Sequence, residues 1–436
     1  MRIAYILPEF VTEKEAGGLA TYYDNISRLL ADAGHEVVII VKSDHNEILD
    51  YYPKIEVRRT YTDVSVVDGD IPTSYIRAWS MALRMELERV IASGKKIDIV
   101  QYANFMGYGI ERLEIPTAIR ISSYRPLLRA ADNYVFDIHK DYKSIKAADY
   151  IEDIAIMKAD GLYGPSIYTA EYIKKQTGCD VTIIESPFYP KKYVSEKNSL
   201  ESKSLHLPAK YIITLGTLKA LKGAVVIGNS IYEILKNCPD LVWVFAGAEF
   251  AWKNEEGHDV SPSEYIKNHA GEFADRVVFL GKLKQQELFE VVNSAKFCVM
   301  PSRVDNLPNT CIEAMALGKI VIGTIGASFE QLIKDGENGF LIERENADAL
   351  IKTVQKVWGM KEQVIKNMGD KAKRRINMMA PQQILHEIEK FYSETIAAFE
   401  EKKAKKSTRY IDTVTKYNIL VEKSMKQDAN LFLLPY

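Results

Sequence analysis

Two carboxylates, Asp305 and Glu313, stand eight positions apart in the stretch KFCVMPSRVDNLPNTCIEAMALGKIVIGT (296–324). Glu313 is followed by the apolar sequence AMAL, which predicts a largely buried helix. A carboxylate buried without a partner costs several kcal/mol or shifts its pKa, and ribose hydroxyls would be suitable donors to it. The alternative is that Asp305 caps the helix and Glu313 pairs with a nearby Lys or Arg. In this sequence context we favour a ligand.

Apolar runs on either side of a polar turn predict one βαβ unit around these carboxylates. The turn lies at the carboxyl end of a strand and leads into a helix N-terminus. Open α/β sheets bind ligands there, and backbone N–H groups favour an anion. Asn309 is predicted as the N-cap, and Thr310 offers a hydroxyl to a phosphate. The predicted elements are a strand (296–300), the turn (301–308), a helix (309–317) and a second strand (319–323).

The sequence DNLPNTCIEAMALGKIVIGT resembles the nucleotide-sugar site of glycosyltransferase family 4, whose members are retaining enzymes with the GT-B fold. The family pattern is an acidic residue, seven residues and a Glu, and Asp305 replaces the usual first Glu. The resemblance implies that Asp305 faces the hydroxyls of the transferred sugar and that Glu313 binds the ribose. It also implies that the intervening loop meets the diphosphate through Asn306, Leu307, Pro308, Asn309 and Thr310.

A second part of the resemblance is GTLKALKGA (216–224), where Lys222 matches a lysine that binds the diphosphate in the family. On physical grounds, an ammonium at a helix N-terminus can neutralise the charge that grows on a departing diphosphate. The alternative for Lys222 alone is a solvated helix lysine. Thr217 stands where the family usually has Arg, and Lys219 is a candidate for supplying that missing charge.

The pair Gly17-Gly18 ends the loop between a predicted first strand (2–7) and a predicted helix (19–33). Without Cβ atoms the backbone can come close to a ligand, and the helix amides behind it face an anion. A plain loop turn is the alternative. The sequence EAGGLATYYDNISRLLADAGHEV resembles the family's N-terminal glycine loop, which implies that Gly17 and Gly18 approach the diphosphate and the acceptor.

Ser122 stands where the family carries a His near the reacting sugar, in the segment DIVQYANFMGYGIERLEIPTAIRISSYRP. A serine can donate a hydrogen bond to a sugar hydroxyl, but it holds no positive charge beside the phosphate. Ser122 is therefore a candidate catalytic residue whose chemistry departs from the family pattern. Together with Tyr124 it is also a candidate on the acceptor side.

Asp68-Gly69-Asp70 forms a DxD pattern, which holds a metal ion on the diphosphate in other glycosyltransferases. It precedes Pro72 in a glycine turn, and we interpret it as a surface loop. The family resemblance implies that no metal or other cofactor is required, because Lys222, loop amides and helix dipoles stabilise the diphosphate. The four cysteines lack metal-type spacing, and we interpret them as reduced residues of a cytoplasmic protein.

A chain of 436 residues is too long for one typical core, so we expect two domains. The resemblance implies an α/β protein with the GT-B fold, in which two doubly wound Rossmann-like domains face a central cleft. The first would bind the acceptor, the second the nucleotide sugar, and a final helix would cross back to the first. The predicted bounds are 1–195, 205–380 and 381–406, followed by a tail (407–436) without an assigned role.

The net charge of −2 and a pI of about 6.4 do not favour nucleic acid as a partner. No apolar run approaches the roughly 18 residues of a spanning helix, and the N-terminus does not have the pattern of a signal peptide. The basic run 371–375 is interpreted as a solvated helix face. The alternative is peripheral contact with the inner face of a membrane.

The resemblance implies a retaining glycosyltransferase, here expected to be cytoplasmic, that moves a sugar from a UDP- or GDP-sugar to a hydroxyl of a saccharide or lipid-linked acceptor. Surface polysaccharide or glycoconjugate synthesis is the expected pathway. One alternative is a catalytically weak or inactive nucleotide-sugar-binding partner of another transferase, because Ser122 and Thr217 replace the family's His and Arg. Another is a nucleotide-sugar epimerase with the same two-domain architecture, which the DNLPNTCIEAMA stretch disfavours.

Overall fold

The computed structural model describes residues 1–14, 16–65, 73–131, 142–189, 207–254 and 256–404. Within these residues the chain forms two large β-sheets, each flanked by helices. The DxD pattern at 68–70 and the tail 407–436 lie outside the described residues.

Eight strands form the first sheet, and the central ones are buried along their whole length, because helices cover both faces. The strands are β1 (Arg2–Leu7), β2 (Glu36–Lys42), β3 (Glu47–Tyr52), β4 (Ile55–Thr60), β5 (Ile99–Ala103), β6 (Thr117–Arg120), β7 (Gly161–Gly164) and β8 (Thr182–Ile183). Their order is β3-β4-β2-β1-β5-β6-β7-β8, with neighbours parallel except β3 and β4. The winding reverses between β1 and β5, which is where such sheets bind ligands.

The helices of the first domain connect these strands in the right order for βαβ units. They are α1 (Gly18–Asp32), α2 (Ser74–Ala92), α3 (Arg125–Ala131), α4 (Tyr142–Lys158) and α5 (Ile167–Thr177), with a 3-10 segment at Phe105–Glu111. Ser166 caps α5 as predicted, since its Oγ accepts from the Thr169 N–H at 3.0 Å.

The second sheet has six parallel strands, which are shorter than those of the first. They are β9 (Ile212–Leu215), β10 (Trp243–Ala246), β13 (Val277–Phe279), β14 (Cys298–Val299), β15 (Val321–Thr324) and β16 (Phe340–Ile342). A small hairpin lies between β10 and β13, formed by β11 (Trp252–Lys253) and β12 (Asp259–Val260). The order is β13-β10-β9-β14-β15-β16, so the winding reverses between β9 and β14.

Six helices cover this second sheet, and their apolar residues complete two cores on its two faces. The helices are α6 (Ala224–Asn237), α7 (Pro262–Ala270), α8 (Gln285–Ser294), α9 (Asn309–Ala316), α10 (Ala347–Trp358) and α11 (Glu362–Asn377). The predicted βαβ unit at 296–324 is therefore present as β14, α9 and β15.

The last described helix, α12 (Pro381–Ala404), packs against the first sheet, where Ile388, Phe391 and Tyr392 join its core. The Tyr392 O–H donates to Gln101 Oε1 on β5 at 2.5 Å. A Cβ atom at Gly161 would lie only 2.3 Å from Thr395 Oγ1, so the contact requires glycine there. The helix that follows the second sheet thus contacts the first domain.

Two strands of the first sheet differ from what the sequence pattern predicts. The edge strand β3 is not predicted, because its residues are mostly exposed and show no clear apolar alternation. The sequence VTIIESP predicts a strand at 181–187, but only β8 forms there, and it pairs only with the four-residue β7. Among the described residues, no helix is both long enough and apolar enough to cross a bilayer.

The two domains contact each other through polar side chains. Glu185 forms an ion pair with Arg375 of α11 and accepts from Gln331 Nε2 at 2.7 Å. Ser166 and Ser328 share a hydrogen bond of 2.7 Å between their hydroxyls. The prediction that 371–375 is a solvated face is therefore wrong for Arg375, whose guanidinium is directed into the domain interface.

Candidate active site

The loops after β9 and β14 meet at the carboxyl edge of the second sheet, because these two strands are neighbours. Gly216 follows β9 with a φ of +101°, which favours glycine. Gly247 follows β10, and a Cβ there would lie 1.9 Å from the Gly216 carbonyl oxygen. The two strand ends can approach this closely only because Gly247 lacks a side chain.

Lys222 lies in a 3-10 turn, Ala220–Lys222, that precedes α6. The turn is held against the loop after β14, since the Arg303 N–H donates to the Leu221 carbonyl at 2.9 Å. Gly223 has a φ of +91°, and a Cβ on it would lie 2.3 Å from the Pro301 carbonyl oxygen. Lys222 therefore lies at the N-terminal end of α6, directly before the N-cap Gly223, and it is fixed beside residues 301–305.

Lys222 and Asp305 form an ion pair at this edge. Their side chains are 30% and 18% exposed, so substrate atoms can reach both. The Asp305 carboxylate also accepts from the Asn306 N–H at 3.0 Å. The structure thus brings together two residues that the sequence predicted for different parts of the donor.

Two non-glycine residues around Asp305 adopt a left-handed backbone, which costs about 1–3 kcal/mol each. They are Leu307 with a φ of +60° and Ser328 with a φ of +65°, and both are buried. Ser328 Oγ donates to the Asp305 carbonyl at 2.7 Å. Strain that surrounding contacts hold in place is typical of a functional loop.

The N-terminus of α9 differs in detail from the prediction. Pro308 is the N-cap and makes no side-chain cap, whereas Asn309 is the first helical residue and is exposed. The helix begins one residue earlier than an N-cap at Asn309 predicts, because Asn309 is already helical and the extended ψ of 114° lies at Pro308. Thr310 packs against the β9 turn, because its Cγ2 would lie 3.2 Å from a Cβ at Gly216.

A cavity of about 360 Å³ lies between the two domains. Gly18 and Tyr22 of α1 line one side, and Asn309 and Glu313 of α9 line the other. Glu313 is half-buried, in agreement with its position one turn into the helix. The remaining lining residues are Thr21, Asn25, Ser186, Pro187, Phe188, Tyr189, Gln285 and Ile312.

A smaller cavity of about 160 Å³ lies at the carboxyl ends of β9, β10 and β13. Phe245 and Phe279 form an apolar wall, and Gly281 is part of the rim. Glu249 and Ser263 add polar groups, with the Ser263 N–H donating to the Glu249 carboxylate at 3.1 Å. The combination of a planar apolar wall and a few polar groups suits a heteroaromatic ring.

Gly17 and Gly18 lie at the N-terminus of α1, as predicted, but a carboxylate already occupies this end. Glu9 Oε1 accepts from the Gly17 N–H at 3.2 Å and from the Ala20 N–H at 3.1 Å. Glu9 therefore neutralises part of the positive end of the helix. The sequence prediction missed this residue, although an acidic residue shortly before a glycine loop is a recognisable N-terminal signal.

Ser122 lies at the end of β6, where three contacts hold it. Its N–H donates to Asn104 Oδ1 at 2.8 Å, and its Oγ accepts from Arg120 Nη1 at 3.0 Å. Its carbonyl accepts from Asn306 Nδ2, which also donates to the Ile121 carbonyl at 3.3 Å. The side chain of Asn306, a residue of the loop that was predicted to meet the diphosphate, thus joins the two domains.

Tyr124 does not face the cleft, because it is buried and donates to Asp153 Oδ1 at 2.5 Å. Beneath it, Glu152 is buried and accepts from Asn104 Nδ2. Burial raises the pKa of Glu152 to about 8, which keeps this carboxyl largely neutral near pH 7. The sequence alone offered no signal for Glu152, because its partners lie on distant elements.

Thr217 is exposed, and Lys219 is half-buried at the start of the 3-10 turn. Threonine cannot supply the positive charge of the arginine that the family usually has at this position. The ammonium that contacts Asp305 at this edge is that of Lys222. In the described part of the chain, no three His, Cys, Asp or Glu side chains come close enough together to hold a metal ion.

Two family models match the chain in successive halves. The one described as Glycosyltransferase Family 4 matches residues 16–188, and the one described as Glycosyl transferases group 1 matches residues 209–359. The chain belongs to glycosyltransferase family 4. The expected fold, two doubly wound domains of the GT-B type, is confirmed by solved structures that cover most of the chain.

Sucrose-phosphate synthase from Thermosynechococcus elongatus superimposes with a TM-score of 0.70 at 17% identity, covering 91% of this chain and 99% of that one. The Anabaena protein HepE, solved in complex with UDP, gives 0.61 at 14% identity, covering 90% and 100%. An uncharacterized glycosyltransferase from Haemophilus influenzae is 28% identical over 194 residues, or 43% of this chain. The match spans 51% of that relative, about half of its length.

Proposed function

We propose that the protein transfers a sugar from a nucleoside-diphosphate sugar to a hydroxyl of an acceptor, with retention at the anomeric carbon. The observation that carries the proposal is the cavity of about 360 Å³ between the domains. It is lined both by Gly18 of the N-terminal glycine loop and by Asn309 and Glu313 of the segment 296–324, although Gly18 and Asn309 are 291 positions apart (309 − 18 = 291). Two motifs that were interpreted separately therefore share one space.

In this proposal the second domain holds the donor. Lys222 neutralises the diphosphate, Asp305 accepts hydrogen bonds from the hydroxyls of the transferred sugar, and Glu313 accepts from the ribose. The apolar wall of Phe245 and Phe279 receives the base in the smaller cavity. The HepE complex supports the choice of a nucleotide, since that protein of the same fold binds UDP.

The proposed reaction breaks the bond between the anomeric carbon and the phosphate oxygen. A bond from the acceptor oxygen forms on the same face of the sugar, and the departing phosphate takes the proton of the acceptor hydroxyl. The chain then needs no nucleophile of its own, because its task is to position both substrates and stabilise charge. Lys222 and the amides at the start of α9 supply this stabilisation, and the proposal requires no metal or other cofactor.

The ion pair between Lys222 and Asp305 has a consequence for donor binding. Lys222 and Asp305 neutralise each other in the structure. To bind both residues, the donor must therefore replace Asp305 as the partner of Lys222 and replace Lys222 as the partner of Asp305. The ammonium would pass to the diphosphate and the carboxylate to sugar hydroxyls. A nucleoside diphosphate without its sugar satisfies Lys222 alone, so we expect the sugar to contribute to affinity.

For the acceptor, we propose a saccharide or lipid-linked saccharide bound mainly by the first domain, in surface polysaccharide or glycoconjugate synthesis in the cytoplasm. Peripheral contact with the inner face of the membrane would suit a lipid-linked acceptor. The family resemblance supports this acceptor class. Ser122, whose carbonyl and side chain are both held in place, is the proposed contact to a sugar hydroxyl.

A second candidate function is binding of a nucleotide sugar without turnover, as a partner of another transferase. It is favoured by the replacement of two charged family residues, since Ser122 and Thr217 are both uncharged. It is opposed by the presence of Lys222, Asp305 and Glu313, which match the family's donor-binding positions. The two functions differ in one measurable property, release of the nucleotide.

The deciding experiment measures nucleotide release from a panel of UDP- and GDP-sugars, with and without saccharide acceptors, by wild type and Glu313→Ala. Glu394→Ala on the exposed face of α12 is the matched control. Release from one donor that Glu313→Ala abolishes and Glu394→Ala preserves would support the proposed transferase. Binding without release under every condition would support the second candidate. If wild type binds none of the nucleotide sugars, both functions are wrong.

A further inference from the structure

Arg120, the last residue of β6, carries a buried charge beside the cleft. The residue is only 5% exposed, and its guanidinium carbon lies 3.4 Å from the centre of the Tyr22 ring. Nη1 donates to Ser122 Oγ at 3.0 Å, and Nη2 donates to Ser186 Oγ at 3.1 Å. Nε is buried without a hydrogen-bond partner in the structure.

No carboxylate of the described residues lies within 4.0 Å of this guanidinium. The groups behind it are phenols, joined by hydrogen bonds from Tyr22 to Tyr163 at 3.2 Å and from Tyr163 to Gln101 at 3.1 Å. Burial raises the pKa of Tyr163 well above its usual value, so that phenol stays neutral. A buried charge with only neutral partners destabilises a fold by several kcal/mol, so the site as described is electrostatically incomplete.

The missing negative charge can come from the cavity between the domains. Tyr22, whose ring covers the guanidinium, and Ser186, which accepts from it, both line that cavity. The opposite wall carries Asn309 and Glu313, the residues of the proposed donor site. The positive charge of Arg120 therefore lies one side chain behind the surface that a nucleotide sugar would meet.

We propose that Arg120 is a positioning residue for the donor's diphosphate, which it attracts by its charge and through the hydroxyl of Ser186. This inference rests on the proposed function. A hydroxyl that accepts from a guanidinium keeps its own hydrogen, which it can donate to a further acceptor. The guanidinium strengthens that donation, because hydrogen bonds in a chain polarise one another.

The inference also accounts for the serine at position 122. The family pattern has a side chain there that can be positively charged, and serine cannot replace that charge by itself. Arg120 lies two residues earlier, at the end of β6, and its Nη1 donates to Ser122 Oγ at 3.0 Å. The charge is thus supplied from two positions further back and reaches the cavity through the Ser186 hydroxyl, which lines it.

The test compares the affinity for a nucleoside diphosphate with the affinity for its nucleoside. The probe is UDP or GDP, whichever wild type binds, with uridine or guanosine as the partner without phosphates. For Arg120→Gln we expect about a tenfold loss of nucleoside diphosphate affinity and unchanged nucleoside affinity, since charge-assisted hydrogen bonds are the stronger class. Arg120→Lys, which keeps the charge, should recover part of the loss.

A second variant keeps the test decisive where Arg120→Gln fails to fold. Ser122→Ala combined with Ser186→Ala retains the guanidinium but removes both hydroxyls, and it should also weaken nucleoside diphosphate binding. Adding Arg120→Gln to this pair should cause a smaller further loss than Arg120→Gln alone. The matched controls are Ser230→Ala, a buried serine within α6, and Arg112→Gln, whose ion pair with Asp160 lies at the opposite edge of the sheet.

Equal losses of nucleoside and nucleoside diphosphate affinity would show that Arg120 only supports the fold, and would overturn the inference. Unchanged affinity for the nucleoside diphosphate in Arg120→Gln and in the double serine variant would overturn it as well. Failure of the proposed function would look different, because wild type itself would then bind neither UDP nor GDP.

Discussion

The two edges that face the cleft belong to sheets that each reverse their winding near the middle, but they carry their polar groups differently. At the second sheet, Lys222 and Asp305 are partly exposed and pair with each other. At the first sheet, Arg120 is buried among neutral hydroxyls and phenols. At the second sheet, a ligand can therefore replace the internal partners of Lys222 and Asp305. At the first sheet, the polar side chains are already fixed behind the cavity.

This difference teaches what a substitution at each edge would measure. A partly exposed pair contributes little to folding, since water replaces the lost partner. A buried polar network stabilises the fold as long as every member has its partner, and losing one member is costly. Changes at the second edge should therefore alter activity alone, and changes at the first edge should alter stability, activity or both.

The largest expected effect is that of Lys222→Ala. Removing the ammonium should lower kcat for sugar transfer by about 10²–10³-fold, because a fixed group that stabilises developing charge is worth that much. Thermal unfolding should stay close to that of wild type. Lys222→Arg is the control that keeps the charge and should retain more activity. A lower unfolding temperature with unchanged kcat would contradict the contrast between the two edges.

The next effect concerns pH and Glu152 at the first edge. Its pKa of about 8 lies above that of the unfolded chain, so between about pH 5 and 8 only the folded state holds this proton. Glu152 therefore contributes stability below this range, and the contribution disappears as the pH rises through it. In wild type, the unfolding free energy should fall as the pH rises through this range. Glu152→Gln should reduce the slope of that fall by up to about 1.4 kcal/mol per pH unit.

Urea unfolding at several pH values measures this slope for wild type and Glu152→Gln. The glutamine can still accept from Asn104, so the local hydrogen bond is retained. Equal slopes for the two proteins would show that Glu152 is charged in the folded state. Glu387→Gln on α12 is the control, and it should leave the pH dependence of the unfolding free energy as in wild type.

A moderate effect is expected for Tyr392→Phe. The phenol donates to Gln101 at 2.5 Å and shares a hydrogen bond of 3.0 Å with Tyr5. Losing it should reduce the unfolding free energy by about 1–3 kcal/mol, as for other buried hydrogen-bonding groups, while kcat is retained. The control is Tyr61→Phe, since Tyr61 is 47% exposed. Equal effects of both changes would argue against a stabilising network behind the first edge.

The smallest effect is expected where the two edges touch, at Asn306. Its amide donates to the Ser122 and Ile121 carbonyls across the domain boundary. Asn306→Ala should raise the KM for the donor by about two- to tenfold, as expected for one net hydrogen bond, because Asp305 is then held less firmly. Asn367→Ala on the exposed face of α11 is the control. An unchanged KM would mean that this bridge does not position the loop.

The second edge could be predicted closely because its signals are local. The turn, the helix and both strands of the βαβ unit lie within residues 296–324, and glycine and proline mark their limits. The errors there are small and have local causes, as where Pro308 takes the N-cap position in place of Asn309. The site roles carried over from the resemblance remain predictions, which the proposed experiments test.

The first edge could not be predicted in the same way, because its partners are distant in sequence. Tyr5 and Tyr392 are separated by 387 positions, and Arg120 and Ser186 by 66. An arginine in a predicted strand and an acidic residue before a glycine loop are visible in the sequence. The groups that these residues contact cannot be read from the sequence. For that reason the capping of α1 by Glu9 was not predicted.

By itself, the sequence determined the two α/β domains, the family and the segment that carries Asp305 and Glu313, because apolar periodicity and turn residues act over short distances. Only the tertiary structure decided that Lys222 pairs with Asp305, that Asn306 joins the domains, and that Arg120 lies behind the cavity with no counter-ion among the described residues. Those outcomes depend on which strand ends become neighbours and which side chains lose contact with water, and both arise only once the whole chain has packed.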